Sequence, residues 1–145
     1  MSTPSISTFP EALAALVTPF VQEVAPAMPV LAGMESPHED GTHVFLSEPS
    51  FEEVVPGTFF YIIRGRVELR QAAAGLSADD MRELRCAVME AILEGLQASA
   101  LANMVELDEF GCPATLRGLY PELAPMEVEG SLFVSAVEYR AYVQF

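Results

Sequence analysis

The segment 59–72 constrains the fold more than any other part of the chain. Its side chains follow the two-residue period of a strand, with one apolar face and a second face that turns from apolar to charged halfway along. The first face carries Phe59, Tyr61, Ile63, Val67 and Leu69, and the second carries Phe60, Ile62, Arg64, Arg66, Glu68 and Arg70. The pattern predicts a long strand whose second face is covered at one end and meets water or a partner at the other. Gly65 interrupts the apolar face and indicates a bulge.

Two further segments have the apolar period of a helix. The first begins near Thr8, and Pro19 inside it predicts a kink or an end near Thr18. The second follows the long strand directly, with Ser77 as its N-cap, and is expected to end near Ala98. The predicted buried stripes are Phe9, Leu13, Leu16, Phe20 and Val24 in the first helix, and Met81, Leu84, Val88, Ile92 and Leu96 in the second.

The remaining apolar runs predict short strands at 30–32 and 43–47 and a long terminal strand at 131–145. The proline-containing segments 48–57 and 115–130 are interpreted as an excursion and a loop, and 100–107 is ambiguous between a helical tail and a strand. This order predicts an α+β domain, with a mainly antiparallel sheet of about four to five strands and two helices packed on one face. We expect a single domain over residues 1–145, with residues 1–7 as a flexible arm.

The charge balance restricts the classes of partner. The chain of 145 residues has 21 acidic residues, seven arginines and no lysine, for a net charge of −14. Proteins that bind nucleic acids or anionic membranes need cations, so both classes are unlikely partners on this composition. An acidic surface serves either as an aid to solubility or as a lining along which DNA passes without specific binding. Two cysteines and the lack of a signal-like start predict a protein that stays in the reducing cytosol.

Catalytic and metal-binding patterns are weak in this sequence. His38, Glu39, Asp40 and His43 are ligand types close together, but an Asp-Gly turn explains the same composition. The paired acids Glu52 and Glu53, Asp79 and Asp80, and Glu127 and Glu129 are interpreted as surface or cap residues. We therefore predict no catalytic residues, no cofactor and no metal. A small enzyme that uses a carboxylate pair remains a third hypothesis.

The arginines of the long strand are the strongest candidates for a functional surface. Arg64, Arg66 and Arg70 supply three of only seven cations and share one strand face with Glu68. A solvated sheet face would explain them, and so would a polar interface onto an acidic neighbour. In the second case the candidate partners on the neighbouring subunit are the loop acids Glu52, Glu53, Glu127 and Glu129.

The order of elements, together with three local features, resembles the tail-terminator (tail-completion) proteins of long-tailed bacteriophages and gene transfer agents. The features are the helix leading into 28–33, the strand 61–70 followed at once by a helix, and the terminal strand around 133–140. The resemblance implies a virion protein, assembled in the host cytoplasm, that forms a homo-oligomeric ring, usually a hexamer. Such a ring caps the tail tube, ends its polymerisation and joins the head. Its implied partners are the tail tube protein and the head–tail connector, with no membrane.

The resemblance to that family is incomplete, and a second class of protein also fits the order of elements. The long proline-containing segments 48–57 and 115–130 depart from the shorter members of that family, so their roles are in doubt. Small, very acidic chains with a similar order of elements also resemble secretion chaperones, which are dimers that hold an unfolded partner polypeptide. Those chaperones usually close with a C-terminal helix, whereas this chain is predicted to end on a strand at Phe145.

Overall fold

The computed structural model describes residues 8–33, 41–72, 77–101, 105–108 and 111–145. Within these ranges the chain forms two helices and eight strands. In chain order they are α1 (Phe9–Val24), β1 (Val30–Gly33), β2 (His43–Ser47), β3 (Ser50–Glu53), β4 (Phe60–Ala72), α2 (Ala78–Leu101), β5 (Val105–Glu106), β6 (Thr115–Leu123), β7 (Glu127–Glu129) and β8 (Leu132–Gln144). The predicted arm 1–7 lies outside the described residues.

All eight strands belong to one sheet, built around the two longest. Strands β4 and β8 form an antiparallel ladder that is continuous from Phe60 opposite Gln144 to Ala72 opposite Leu132. The sheet order is β1-β2-β4-β8-β6-β5, with β3 added to β4 and β7 added to β8. Strand β1 is parallel to β2, so the sheet is mixed. The α+β class is correct and six of the seven strand pairings are antiparallel, but the predicted sheet of four to five strands is wrong, because the described residues form eight.

The additional strands lie in the segments that the sequence pattern marks as irregular. Strand β3 occupies the predicted excursion, and β6 and β7 occupy the predicted loop. A register shift between Leu116 and Gly118 breaks the alternation in β6, so that Leu116 and Leu119 both face the core. Pro121 also makes this strand hard to predict from the sequence, because proline has no N–H group to donate to a neighbouring strand and normally occurs at sheet edges. The ambiguous segment 100–107 contains both the end of α2, at Leu101, and the two-residue strand β5.

Much of strand β6 is an edge of the sheet. Strand β5 pairs only with Thr115 and Leu116. In the part of the chain that the structure describes, no strand pairs with the outer side of 117–123. This edge contains Pro121 between the exposed side chains of Tyr120 and Glu122.

Both helices pack on one face of the sheet, where they enclose the main core. In α2 the predicted stripe is buried at Val88, Ile92 and Leu96 and half-buried nearer the N-terminus of the helix. The predicted N-cap is confirmed, since Ser77 Oγ accepts a hydrogen bond from the Asp80 amide at 3.1 Å. Across the described residues, neither helix combines the length and apolar character that crossing a membrane requires.

Helix α1 continues through Pro19 to Val24, so of the two predicted effects of Pro19, a kink or an end near Thr18, the end is wrong. Its buried side is also rotated from the predicted stripe, because Val17 and Val21 are fully buried while Val24 is about half exposed. The buried side therefore follows a regular four-residue spacing from Phe9 to Val21, which suits close packing against α2 and β1.

Candidate subunit interface

The face of the sheet turned away from the helices carries the predicted site; we call it the outer face. It consists of the even-numbered side chains of β4 and β8, including Arg64, Arg66, Glu68 and Arg70. One end of this face is covered, as predicted, but it is the charged end, which reverses the order that the apolar-to-charged pattern indicates. Glu68 and Arg70 are only 8% and 5% exposed, whereas Arg66 is half-buried and Arg64 is exposed.

The buried end of the outer face contains an ion pair within the chain. Arg70 lies between two carboxylates, with Nη2 at 3.1 Å from Glu129 Oε1 and Nη1 at 3.5 Å from Glu68 Oε2. Strand β7 positions Glu129 by pairing with β8 beside Leu132. Glu129 was expected to reach a neighbouring subunit, but here it is a partner of Arg70 in its own chain. Since an uncompensated buried guanidinium costs several kcal/mol, this contact fixes β7 against the sheet.

Burial also perturbs the carboxyl group of Glu68. Removal from water is the largest effect and raises the pKa of Glu68, and the nearby carboxylates of Glu129 and Glu127 raise it further. The guanidinium groups of Arg66 and Arg70 oppose this rise without cancelling it. The folded subunit therefore holds the Glu68 proton more tightly than the unfolded chain does. This difference lowers stability as pH rises from the ordinary glutamate pKa through the raised one.

Replacing Glu68 by glutamine is expected to remove this loss of stability at high pH. As the pH is raised from 5 to 8, the unfolding free energy of E68Q should increase relative to that of the wild type. The reason is that only the wild type must ionise a buried carboxyl. Urea unfolding at several pH values measures the difference, with the exposed α1 substitution Glu23→Gln as the control. A difference that stays constant with pH, or shifts towards the wild type, would contradict the assignment.

The acids of strand β3 also act within the subunit. Glu52 Oε2 lies 3.7 Å from Arg64 Nη1, with both side chains more than half exposed, so this contact adds little stability. Glu53 holds the turn into β4 by accepting hydrogen bonds from the backbone amides of Gly57 at 3.1 Å and Phe59 at 2.9 Å. Phe59 has a φ of 56° and lies in this turn instead of starting the strand as predicted. Glu127 lies in exposed strand β7, opposite Val134.

An open groove of about 590 Å³ occupies the exposed end of the outer face. We call it the arginine groove; its polar lining consists of Arg64, Arg66, Arg140, Tyr120, Glu122 and Glu138. The guanidinium of Arg140 lies over the rings of Tyr120 and Tyr142, at 5.3 and 5.7 Å from their centroids. These cation–π contacts hold the guanidinium against the sheet while leaving the residue exposed.

The arginines of the groove are only partly compensated within the chain, by the exposed contact of Arg64 with Glu52 and by Glu122 and Glu138 in the lining. Arg64 and Arg140 stand directly opposite each other in the β4–β8 ladder, and like charges at such positions destabilise a sheet. Arg66 stands opposite Glu138, yet among the described residues its Nε is buried and has no acceptor. An anionic group entering the groove would relieve the repulsion between Arg64 and Arg140. Arg140 and Tyr120 were not predicted as site residues, because only the register of two distant segments brings them to Arg64.

The other candidates for chemistry in the sequence are the two histidines with their neighbouring acids and the two cysteines. His38, Glu39 and Asp40 lie outside the described residues, whereas His43 is fully buried in β2 with Nδ1 2.8 Å from the Gly41 carbonyl oxygen. In the described ranges no group of metal-ligating side chains is close enough to hold an ion. Both cysteines are free: Cys86 is exposed on α2, and Cys112 is buried, which raises its pKa and makes its thiol a poor nucleophile.

Comparison with known proteins does not assign the chain to a family. A scan against protein-family models matches none of them, and a search of curated proteins gives no significant match.

Proposed function

We propose that this protein is the subunit of a homo-oligomeric ring that caps a phage tail tube, ends its polymerisation and joins the tail to the head. One observation carries the proposal: three of the seven arginines line one open groove on the outer face of an otherwise acidic subunit. A monomer gains nothing from placing like charges opposite each other. A ring of acidic subunits does gain, because each groove can accept carboxylates from its neighbour and so offset the repulsion between copies.

The distribution of charge supports the same function. With a net charge of −14, the surface outside the arginine groove is strongly acidic. A closed ring of such subunits presents a wall along which DNA can pass without binding, since few cations remain to displace its counterions. The tail tube protein and the head–tail connector are the proposed partners at the two ring faces, and the virion tail is the proposed location. A hexamer is the ring size that the resemblance implies.

Reversing the charge of Arg66 is expected to block assembly. Arg66→Glu removes an attraction and adds a repulsion, so ring yield should fall about tenfold or more, since each ~1.4 kcal/mol of lost contact energy is one factor of ten. The isolated subunit should stay folded, because Arg66 is half-buried and lines the open groove. Mass measurement and electron micrographs of the protein, alone and with the tail tube protein, report the outcome. Tails formed with R66E should have uncontrolled lengths.

The matched control is Arg117→Glu, which changes net charge equally at an exposed residue that does not line the groove. It should assemble like the wild type. If wild-type subunits form no ring with the tube protein, the proposed function is wrong, and a stable dimer would favour the secretion-type chaperone instead. Normal tail lengths with R66E would mean that the groove is ordinary solvated sheet.

A further inference from the structure

The outer side of α2 carries a row of exposed acids. Four of them recur at helical spacing, with Cys86 between the second and third and the exposed Arg82 beside the first two. We call this surface the acidic stripe; it consists of Asp79, Glu83, Glu90 and Glu94. Residues three and four apart share one side of a helix, so these carboxylates lie in one row.

The charges of the acidic stripe, like those of the arginine groove, are incompletely compensated. Within the described part of the chain none of its four acids forms a salt bridge. Asp79 and Glu83, and likewise Glu90 and Glu94, are like-charge pairs at a spacing of four, which is unfavourable in a helix. The subunit therefore tolerates carboxylates with no partner on one side and opposed guanidinium groups on the other.

The two surfaces lie on opposite sides of the subunit. Helix α2 packs on the core face of the sheet, so its exposed side points away from the sheet on that side. The arginine groove lies on the outer face. Two complementary patches on opposite sides of one molecule produce a head-to-tail contact, and such contacts close into rings when the rotation between subunits permits.

We propose that the acidic stripe of one copy occupies the arginine groove of the next copy. This inference rests on the proposed ring and specifies its contact. A second copy is favoured over another anionic ligand because the chain carries the complementary charge itself, whereas a nucleic acid would be repelled by the rest of the surface. Carboxylates entering the groove lie between the positive charges of Arg64 and Arg140 and reduce their repulsion, and the groove arginines compensate the stripe.

Cysteine cross-linking tests this contact directly. Cys86 is a native exposed thiol inside the stripe, and Glu122→Cys places a second thiol at the rim of the groove. A short bis-maleimide should join Cys86 of one copy to the new cysteine of the next, giving a ladder of dimers, trimers and higher oligomers on a denaturing gel. The ladder should vanish in E122C with Cys86→Ser, and Glu23→Cys on α1 should give none.

A ladder that stops at the dimer would overturn the proposal, since it indicates a face-to-face contact. Charge reversal provides the second arm: Glu90→Arg with Glu94→Arg should reduce ring yield about tenfold or more, whereas the exposed Glu23→Arg should not. If the variant with both reversals forms rings in wild-type yield, the stripe assignment is wrong, whereas the proposed function still stands. Absence of any wild-type ring would remove both.

Discussion

Val88→Asp is expected to unfold the domain. Val88 is fully buried near the middle of α2, in the core shared with Ile92 and the central strands. An aspartate there would place a carboxylate among apolar side chains with no partner, at a cost of several kcal/mol. Domains of this size are stable by only about 5–15 kcal/mol, so the loss is comparable with the whole stability. Circular dichroism against temperature should show no cooperative transition, or one at a much lower midpoint.

The matched control for this change lies two residues earlier. Cys86→Asp introduces the same carboxylate into the same helix at an exposed position, so its melting temperature should stay close to that of the wild type. Val88→Ala should lower the melting temperature by an intermediate amount, because it leaves a small cavity without a buried charge. A soluble V88D protein that melts like the wild type would show that the core assignment of α2 is wrong.

Gly65→Val is the second change expected to have a large effect. A Cβ atom at Gly65 would lie 2.5 Å from Tyr139 Oη and 2.8 Å from Tyr139 Cζ, far inside normal contact distance. The Tyr139 ring is only 4% exposed, and its centroid lies 6.3 Å from that of Phe9, so it has little room to move. Overpacking of this kind costs about 1–3 kcal/mol, and the branched valine adds further atoms. Urea unfolding should show the loss as a lower midpoint.

Gly118→Val provides a comparison at a second strand glycine. A Cβ atom at Gly118 meets nothing closer than 3.5 Å, so the valine should cost much less there than at Gly65. Combining Gly65→Val with Tyr139→Leu should recover part of the loss, because the smaller side chain vacates the space. Equal losses at Gly65 and Gly118 would mean that the contact with Tyr139 is not the cause.

The tyrosine contact also explains why the predicted bulge at Gly65 is wrong. The register of the β4–β8 ladder passes through Gly65 opposite Tyr139 without a shift. The glycine makes room for a bulky ring from the neighbouring strand, and the ring covers the exposed glycine backbone in return. A single sequence shows that an apolar face is interrupted, but not which side chain from a distant segment fills the gap.

The long elements could be predicted because their periodicity extends over many residues. Strand β4, strand β8 and helix α2 begin within a residue or two of their predicted starts, and α1 was recognised although its buried side was misplaced. The short strands β3 and β7 could not be predicted, because they are almost entirely exposed and therefore lack an apolar period. In β6 the register shift and Pro121 erase the signal that remains.

The candidate site was predictable in composition but not in arrangement. The sequence placed Arg64, Arg66 and Arg70 on one strand face, and the structure agrees. It could not indicate that Arg70 forms an ion pair with Glu129, a residue 59 positions away along the chain. Nor could it bring Arg140 to Arg64, since the register between two long strands depends on the packing of the whole sheet.

The exposed edge of β6 has a consequence for how the folded chain avoids pairing with other copies of itself. An unprotected edge strand can recruit further strands and grow into insoluble fibres. Here an incoming strand would meet Pro121, which offers no N–H group, and the exposed charges of Arg117 and Glu122. The irregularities that make this strand hard to recognise in the sequence thus act against edge-to-edge aggregation of the folded chain.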